Sequence, residues 1–118
     1  MGSRWRVIYY ESGRGDKPVQ DFIEQQQEQV QTKIIRILEH LEEFGTQFGT
    51  PHVKKLTGTE LWELRIMGAN NIRIFYIAVE QQAFLLLHAF KKKKQKTDKR
   101  EIRSAQERLA EYRVRKRN

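Results

Sequence analysis

Three apolar runs, separated by two short polar turns, constrain this chain most. They are Glu60-Leu-Trp-Glu-Leu-Arg-Ile-Met67, Asn71-Ile-Arg-Ile-Phe-Tyr-Ile-Ala-Val79 and Ala83-Phe-Leu-Leu-Leu-His-Ala-Phe90. Gly68-Ala-Asn-Asn71 and Glu80-Gln-Gln82 divide them. Runs rich in β-branched, aromatic and leucine residues with such breaks predict an antiparallel meander of three strands. Alternation then sorts side chains between faces: Trp62, Leu64 and Ile66 on one, Glu63 and Arg65 on the other. Burying the most apolar sets together pairs Leu64 with Ile74 and Ile66 with Ile72. That register sets Arg65 directly across from Arg73, and a one-residue slip would drive an arginine into the core. A two-residue Gln81-Gln82 turn would next oppose Ile77 to Leu86, Phe75 to His88 and Arg73 to Phe90. Arg65, Arg73, Phe75, His88 and Phe90 are therefore expected on one face.

Like charges opposed across strands destabilise a sheet. Either Glu63 neutralises the two arginines internally, or an anionic ligand does. Arginines beside aromatic rings suit phosphates and stacked bases together. The overall charge of +8 points the same way. Residues 91–118 hold 13 Lys/Arg against 4 Asp/Glu, whereas residues 1–90 hold 10 against 11. The excess begins at Lys91-Lys-Lys-Lys-Gln-Lys96, where the third run ends, and implies a polyanionic or acidic partner or a solvated basic tail. At 118 residues the chain is expected to form one domain spanning 1–118. The absence of cysteine excludes disulfides and thiolate chemistry and fits a cytoplasmic location. No apolar run reaches membrane-span length, no secretory h-region is evident, and no membrane partner is expected.

In chain order, Trp5–Tyr10 predicts a first strand and Ser12-Gly-Arg-Gly15 a turn. Asp16, two residues before Pro18, predicts a helix start. Helical spacing of Val19, Phe22 and Ile23 breaks at Gln25–Gln29, then resumes at Val30, Ile34, Ile37, Leu38, Leu41 and Phe44, stopped by Gly45. This predicts a helical hairpin, or one bent helix, covering the Trp62/Leu64/Ile74/Tyr76 face and leaving the arginine face open. Lys54 and Lys55 fall at the rim of that face or stand as solvated lysines. Thr97 or Asp98 caps a last helix of about 98–112 with a narrow stripe of Ile102, Ala105, Leu109 and Tyr112, which either packs on the domain or docks another chain; residues 113–118 are expected to fray. The fold class is α+β: a small antiparallel sheet, mixed through its first strand, a helical hairpin on one face, and a C-terminal helix.

This order, with Lys55-Leu-Thr-Gly58, Leu61-Trp-Glu-Leu-Arg65, Arg73-Ile-Phe-Tyr76 and Leu86-Leu-His-Ala-Phe-Lys-Lys92, resembles the RelE/ParE toxin superfamily. The branch features His88–Lys92, Gln95-Lys-Thr97, Glu101-Ile and Arg108-Leu resemble its HigB-like members, including phage-derived Gp49-like proteins. The resemblance implies a type II toxin that cuts mRNA in the ribosomal A site without metal or cofactor. It also implies a cognate antitoxin, a small helix-turn-helix protein. By that match, Arg65, Arg73, Lys91 and Lys93 are candidate catalytic residues; His88, as a side chain that titrates near neutrality on the expected face, is the candidate acid or base, or else a strand-end histidine bonded to backbone. Lys54, Lys55, Phe75, Phe90, Lys92, Lys94 and Lys96 are candidate RNA contacts, with Phe75 and Phe90 either stacking on a base or packing under the last helix. A tyrosine found near the C-terminus of several members has no counterpart; Lys99 stands in its place. Rival readings are a ParE-type gyrase toxin and a non-enzymatic RNA-binding protein. His40, His52 and His88 are scattered, and no metal-ligand spacing occurs.

Overall fold

A computed structural model describes residues 4–69 and 71–117. Asn70 of the expected first turn and Asn118 of the expected frayed tail lie outside the described residues. The elements run β1 (Arg6–Tyr9), α1 (Pro18–Glu24), α2 (Glu28–Phe44), β2 (Val53–Lys55), β3 (Trp62–Ile66), β4 (Ile72–Val79), β5 (Ala83–Lys91) and α3 (Lys99–Arg117). They build a five-stranded sheet ordered β1-β5-β4-β3-β2. The meander is antiparallel, and β1 joins β5 in parallel. The α+β class and the helical hairpin are as expected. The short strand β2 was not anticipated, because Val53-Lys-Lys55 carries a single apolar residue.

Pro18 starts α1, as a proline pre-set for the first helical turn should. Its cap position is Lys17, however, not Asp16, whose amide instead takes part in the preceding turn by donating to Ser12 Oγ at 3.0 Å. Gly45 ends α2 at φ 58°, ψ −135°, a backbone region that side chains disfavour. A Cβ there would meet the Trp5 ring at 2.5 Å, so glycine also lets Trp5 close over the helix end and stack on Phe84. Ile34, Leu38 and Leu41 of α2 are buried with Leu64, Ile66, Ile72 and Ile74, which completes the first core.

The β3–β4 register is the expected one: Leu64 opposes Ile74, Ile66 opposes Ile72, and Arg65 opposes Arg73. The β4–β5 register agrees at Arg73–Phe90 and Phe75–His88 but shifts by one beyond, so that Ile77 faces Leu85 rather than Leu86. Val79 pairs with Ala83, leaving three residues in the turn, not two. Gln81 and Gln82 both adopt positive φ there. A bulge at Leu87 absorbs the extra residue, and its consequence is local: Leu87 and His88 in succession serve the same side of the sheet.

That side is not open. The last helix lies along it, and Ala105 and Leu109 are buried with Leu61, Phe75, Ile77, Leu85, Leu87 and Phe90 in a second core. Asp98 caps α3 by accepting from the Arg100 amide at 2.9 Å, as expected. The helix does not end at Tyr112 but continues to Arg117. Arg113 donates twice to Glu60, at 2.8 and 2.9 Å, and Arg115 bonds both Glu111 and the Glu11 carbonyl. Those anchors hold a segment that composition alone would leave frayed.

Candidate nucleic-acid interface

Pairing across the sheet sets up two rows on the α3 side. Lys54, Glu63, Phe75 and His88 form one; Arg65, Arg73 and Phe90 form the next. α3 covers the β4–β5 end of both rows, while at the other end Lys54 is exposed and Arg65 half-buried. The boundary falls on the arginines. Arg65 keeps 32% of its side chain exposed and Arg73 keeps 15%.

Glu63 is buried at 3% exposure and sits between them. Its Oε1 lies 3.4 Å from Arg65 Nε and 3.9 Å from Arg73 Nε. The internal neutralisation set out above is therefore present, but one carboxylate answers two guanidiniums and leaves a net positive charge. Arg73 also donates to the Ile72 carbonyl at 3.2 Å, while its buried Nε has no hydrogen-bond partner. Burial holds its pKa below arginine's ordinary value; Glu63 opposes that shift and Arg65 adds to it. An anion reaching this edge would meet donors that are already converged and partly dry, where electrostatic contacts are stronger than in water.

Lys54 is exposed at the end of the Glu63 row. Beyond Phe90, residues Lys91, Lys92, Lys93, Lys94 and Lys96 line a cleft of about 200 Å³ together with Arg100 and the acids Asp98 and Glu101. All these lysines but the half-buried Lys92 are exposed. Asp98 is engaged by Arg100 and Glu101 by His88, so neither acid forms an ion pair with the cleft lysines, although Lys94 adds to the pull that Arg100 exerts on the Asp98 pKa. Lys55 is elsewhere. It pairs with Trp62, points to the opposite face and stands 5.9 Å over the Trp62 ring, which removes it from the rim.

Three expectations are corrected by α3. Phe75 is fully buried and Phe90 nearly so, their ring centroids 5.0 Å apart beneath the helix, so neither offers a face to a base. His88 is likewise occupied. Arg108 donates to His88 Nδ1 at 2.9 Å, which fixes the neutral tautomer whose Nε2–H donates to Glu101 at 2.7 Å. Arg108 also donates to the Leu87 carbonyl at 2.9 Å, the acceptor freed by the bulge. Burial, and secondarily the charge of Arg108, push the His88 pKa down, while Glu101 pulls it up. With both ring nitrogens engaged, His88 tethers α3 to the sheet. The sequence offers Glu101 and Arg108 only as branch features with no role at His88, although they fall on the face of Ala105 at i−4 and i+3, the spacing that places them together.

Among the described residues no three His, Asp or Glu side chains gather as a metal site, and no helix is long and apolar enough to cross a membrane. A family model described as "Phage derived protein Gp49-like (DUF891)" matches residues 21–110, a span running from α1 into α3 and including the arginine pair and the lysine cleft. No curated protein matches the chain.

Proposed function

The chain belongs to the Gp49-like family of phage-derived proteins, a family of RelE/HigB-like toxins, and from that premise we propose that it is the toxin of a type II pair that cleaves mRNA on the ribosome. The observation that carries the reading is the Arg65–Arg73 pair. Two arginines lie directly opposite across strands, share one buried carboxylate, and break the surface where α3 stops covering the sheet. A fold gains nothing from opposing like charges; an RNA phosphate does.

In this reading a phosphodiester lies along the uncovered border. The 2′-oxygen attacks phosphorus, the bond to the 5′-oxygen breaks, and the ends are a 2′,3′-cyclic phosphate and a 5′-hydroxyl. Arg65 and Arg73 stabilise the charge that builds on the phosphorane oxygens, the larger part of catalysis for a reaction with this much charge development. Lys54, Lys91 and Lys93 hold the flanking phosphates, and Lys92, Lys94 and Lys96 extend the basic track. Proton transfer falls to ammonium groups of that track or to groups of the ribosome–mRNA complex, since His88 is committed to α3. The family is generally associated with antitoxins, and a cognate antitoxin is the expected second partner.

The test is induction in cells with mapping of mRNA 5′ ends. Wild type should cut within translated reading frames, and Arg73→Ala should lower cleavage at least ~100-fold, the loss typical of an oxyanion-type contact, in a variant whose fold is unchanged by circular dichroism. Full toxicity of a folded Arg65→Ala/Arg73→Ala double variant overturns the site. Arrest through gyrase with intact mRNA overturns the reaction and favours the ParE-type reading.

A further inference from the structure

A cleft of about 590 Å³ lies away from the arginine pair. It lies at the opposite end of the strands, between the last turns of α3 and the β4–β5 hairpin. β5 runs nine residues from this cleft to the lysines, about 30 Å at strand rise. Ile8, Ile77, Val79 and Ala83 give it an aliphatic floor, and Arg6, Arg113, Lys116 and Arg117 surround it. Glu80 is the one acid in its lining. Arg113 is held by Glu60, but Arg6, Lys116 and Arg117 make no ion pair among the described residues. A helix C-terminus favours cations, yet its partial charge is about half an elementary charge, less than is gathered here.

We propose that this cleft docks an acidic amphipathic segment of a second protein. Carboxylates of the segment would meet Arg6, Lys116 and Arg117 while its aliphatic side chains cover Ile8 and Val79, the charged-rim and apolar-floor pattern of peptide grooves. Nucleic acid fits less well. A phosphate chain would leave the aliphatic floor of Ile8, Ile77, Val79 and Ala83 uncovered, and the one ring of the lining, Tyr112, already carries the Lys116 ammonium over it at 5.9 Å. Strand addition is also disfavoured, because the outer edge of β1 is closed at Val7, whose amide donates to the Glu42 carboxylate at 2.9 Å. The segment therefore sits in the groove, and the Arg65–Arg73 border stays uncovered while it is bound. The inference is independent of the nuclease reading.

A random 16-residue peptide display library selected on the immobilised full chain tests it. Enriched peptides should combine a surplus of Asp and Glu with at least two aliphatic residues. The best of them, made synthetically with a fluorophore, should bind at least tenfold more weakly to Arg6→Glu/Lys116→Glu and to Val79→Glu, each checked for an unchanged fold by circular dichroism. The same peptide should lose no more than twofold to Lys91→Glu/Lys93→Glu. No enrichment, or equal binding to the cleft variants, overturns the proposal. So does a 16-nucleotide oligo-uridine that binds more tightly than any selected peptide and is lost in the cleft variants, because the surface is then a nucleic-acid track.

Discussion

Replacing Arg108 by methionine isolates what holds α3 over the sheet. Methionine keeps the aliphatic length but removes two donations, to the Leu87 carbonyl and to His88 Nδ1. The bulge leaves that carbonyl without a partner on β4, so the loss strands a buried acceptor as well as a ring nitrogen. A stranded acceptor costs about 1–3 kcal/mol, and a hydrogen bond to a charged donor contributes about 1.5–3 kcal/mol. Because the two share one guanidinium, the expected destabilisation is about 2–4 kcal/mol. At about 4 °C per kcal/mol for a domain of this size, Tm should fall by about 8–16 °C. The pH profile supplies an internal check. The His88 pKa is depressed in the fold, so its contribution is present above the ordinary value of 6.5 and is lost as pH falls through the folded value. Arg108 is one of the causes of that depression, so Arg108→Met should flatten the acid limb of stability measured by urea unfolding between about pH 7.5 and 5. Glu101→Gln removes the group that pulls the pKa up and should steepen the limb instead. A variant within about 0.5 kcal/mol of wild type at pH 7.5, with an unaltered acid limb, would refute the tether.

Gly45→Ala should cost more than about 2 kcal/mol in urea unfolding, because the added Cβ meets Trp5 at 2.5 Å in a backbone region reserved for glycine; wild-type stability would mean that Trp5 moves freely. Lys91→Gln/Lys93→Gln should reduce the slope of log K against log salt by about 1.4 for binding a short single-stranded RNA, two phosphates' worth, measured by fluorescence anisotropy; an unchanged slope removes both lysines from the track. Arg65→Ala should weaken the same binding while the variant keeps its fold by circular dichroism; an equal affinity takes it out of the interface.

The arginine register was legible because the opposite face dictates it: Leu64, Ile66, Ile72 and Ile74 reach α2 in one pairing only, and Arg65 and Arg73 follow. Packing of α3 on the domain is one of the two readings its stripe allows, but the expectation of an open arginine face left its extent unassigned, although a signal is present. Phe84-Leu-Leu-Leu87 is a continuous apolar run, and a strand apolar at every position is buried on both faces. The narrow stripe of Ile102, Ala105 and Leu109 in a basic segment hid the partner for that second face. The bulge was not legible at all, because it arises from Gln81 and Gln82 entering the left-handed region, a choice neither glutamine announces. Both misses fall on His88. Without the cover it reads as a free acid or base, and without the bulge its neighbour's carbonyl has no reason to recruit Arg108.

The cover also changes what the arginine border asks of a ligand. Glu63 already lies between the guanidiniums, so a phosphate gains only to the extent that it outbids a buried carboxylate or adds to it. Removing the charge separates these cases. Glu63→Gln leaves two opposed cations with no counterion and should destabilise the chain by about 1–3 kcal/mol, less than for a fully buried pair because Arg65 reaches solvent. A small dianion can then take the vacated role. Sulfate at tens of millimolar should restore at least half of the lost stability, well beyond its general stabilising effect on wild type, by binding the folded state alone. Equal sulfate effects on the two proteins would mean that Arg65 and Arg73 do not form a joint anion site, and the nuclease reading would lose the feature on which it rests. A selective rescue would make Glu63 the resident counterion of a phosphate site, and would explain how a sheet tolerates two arginines face to face.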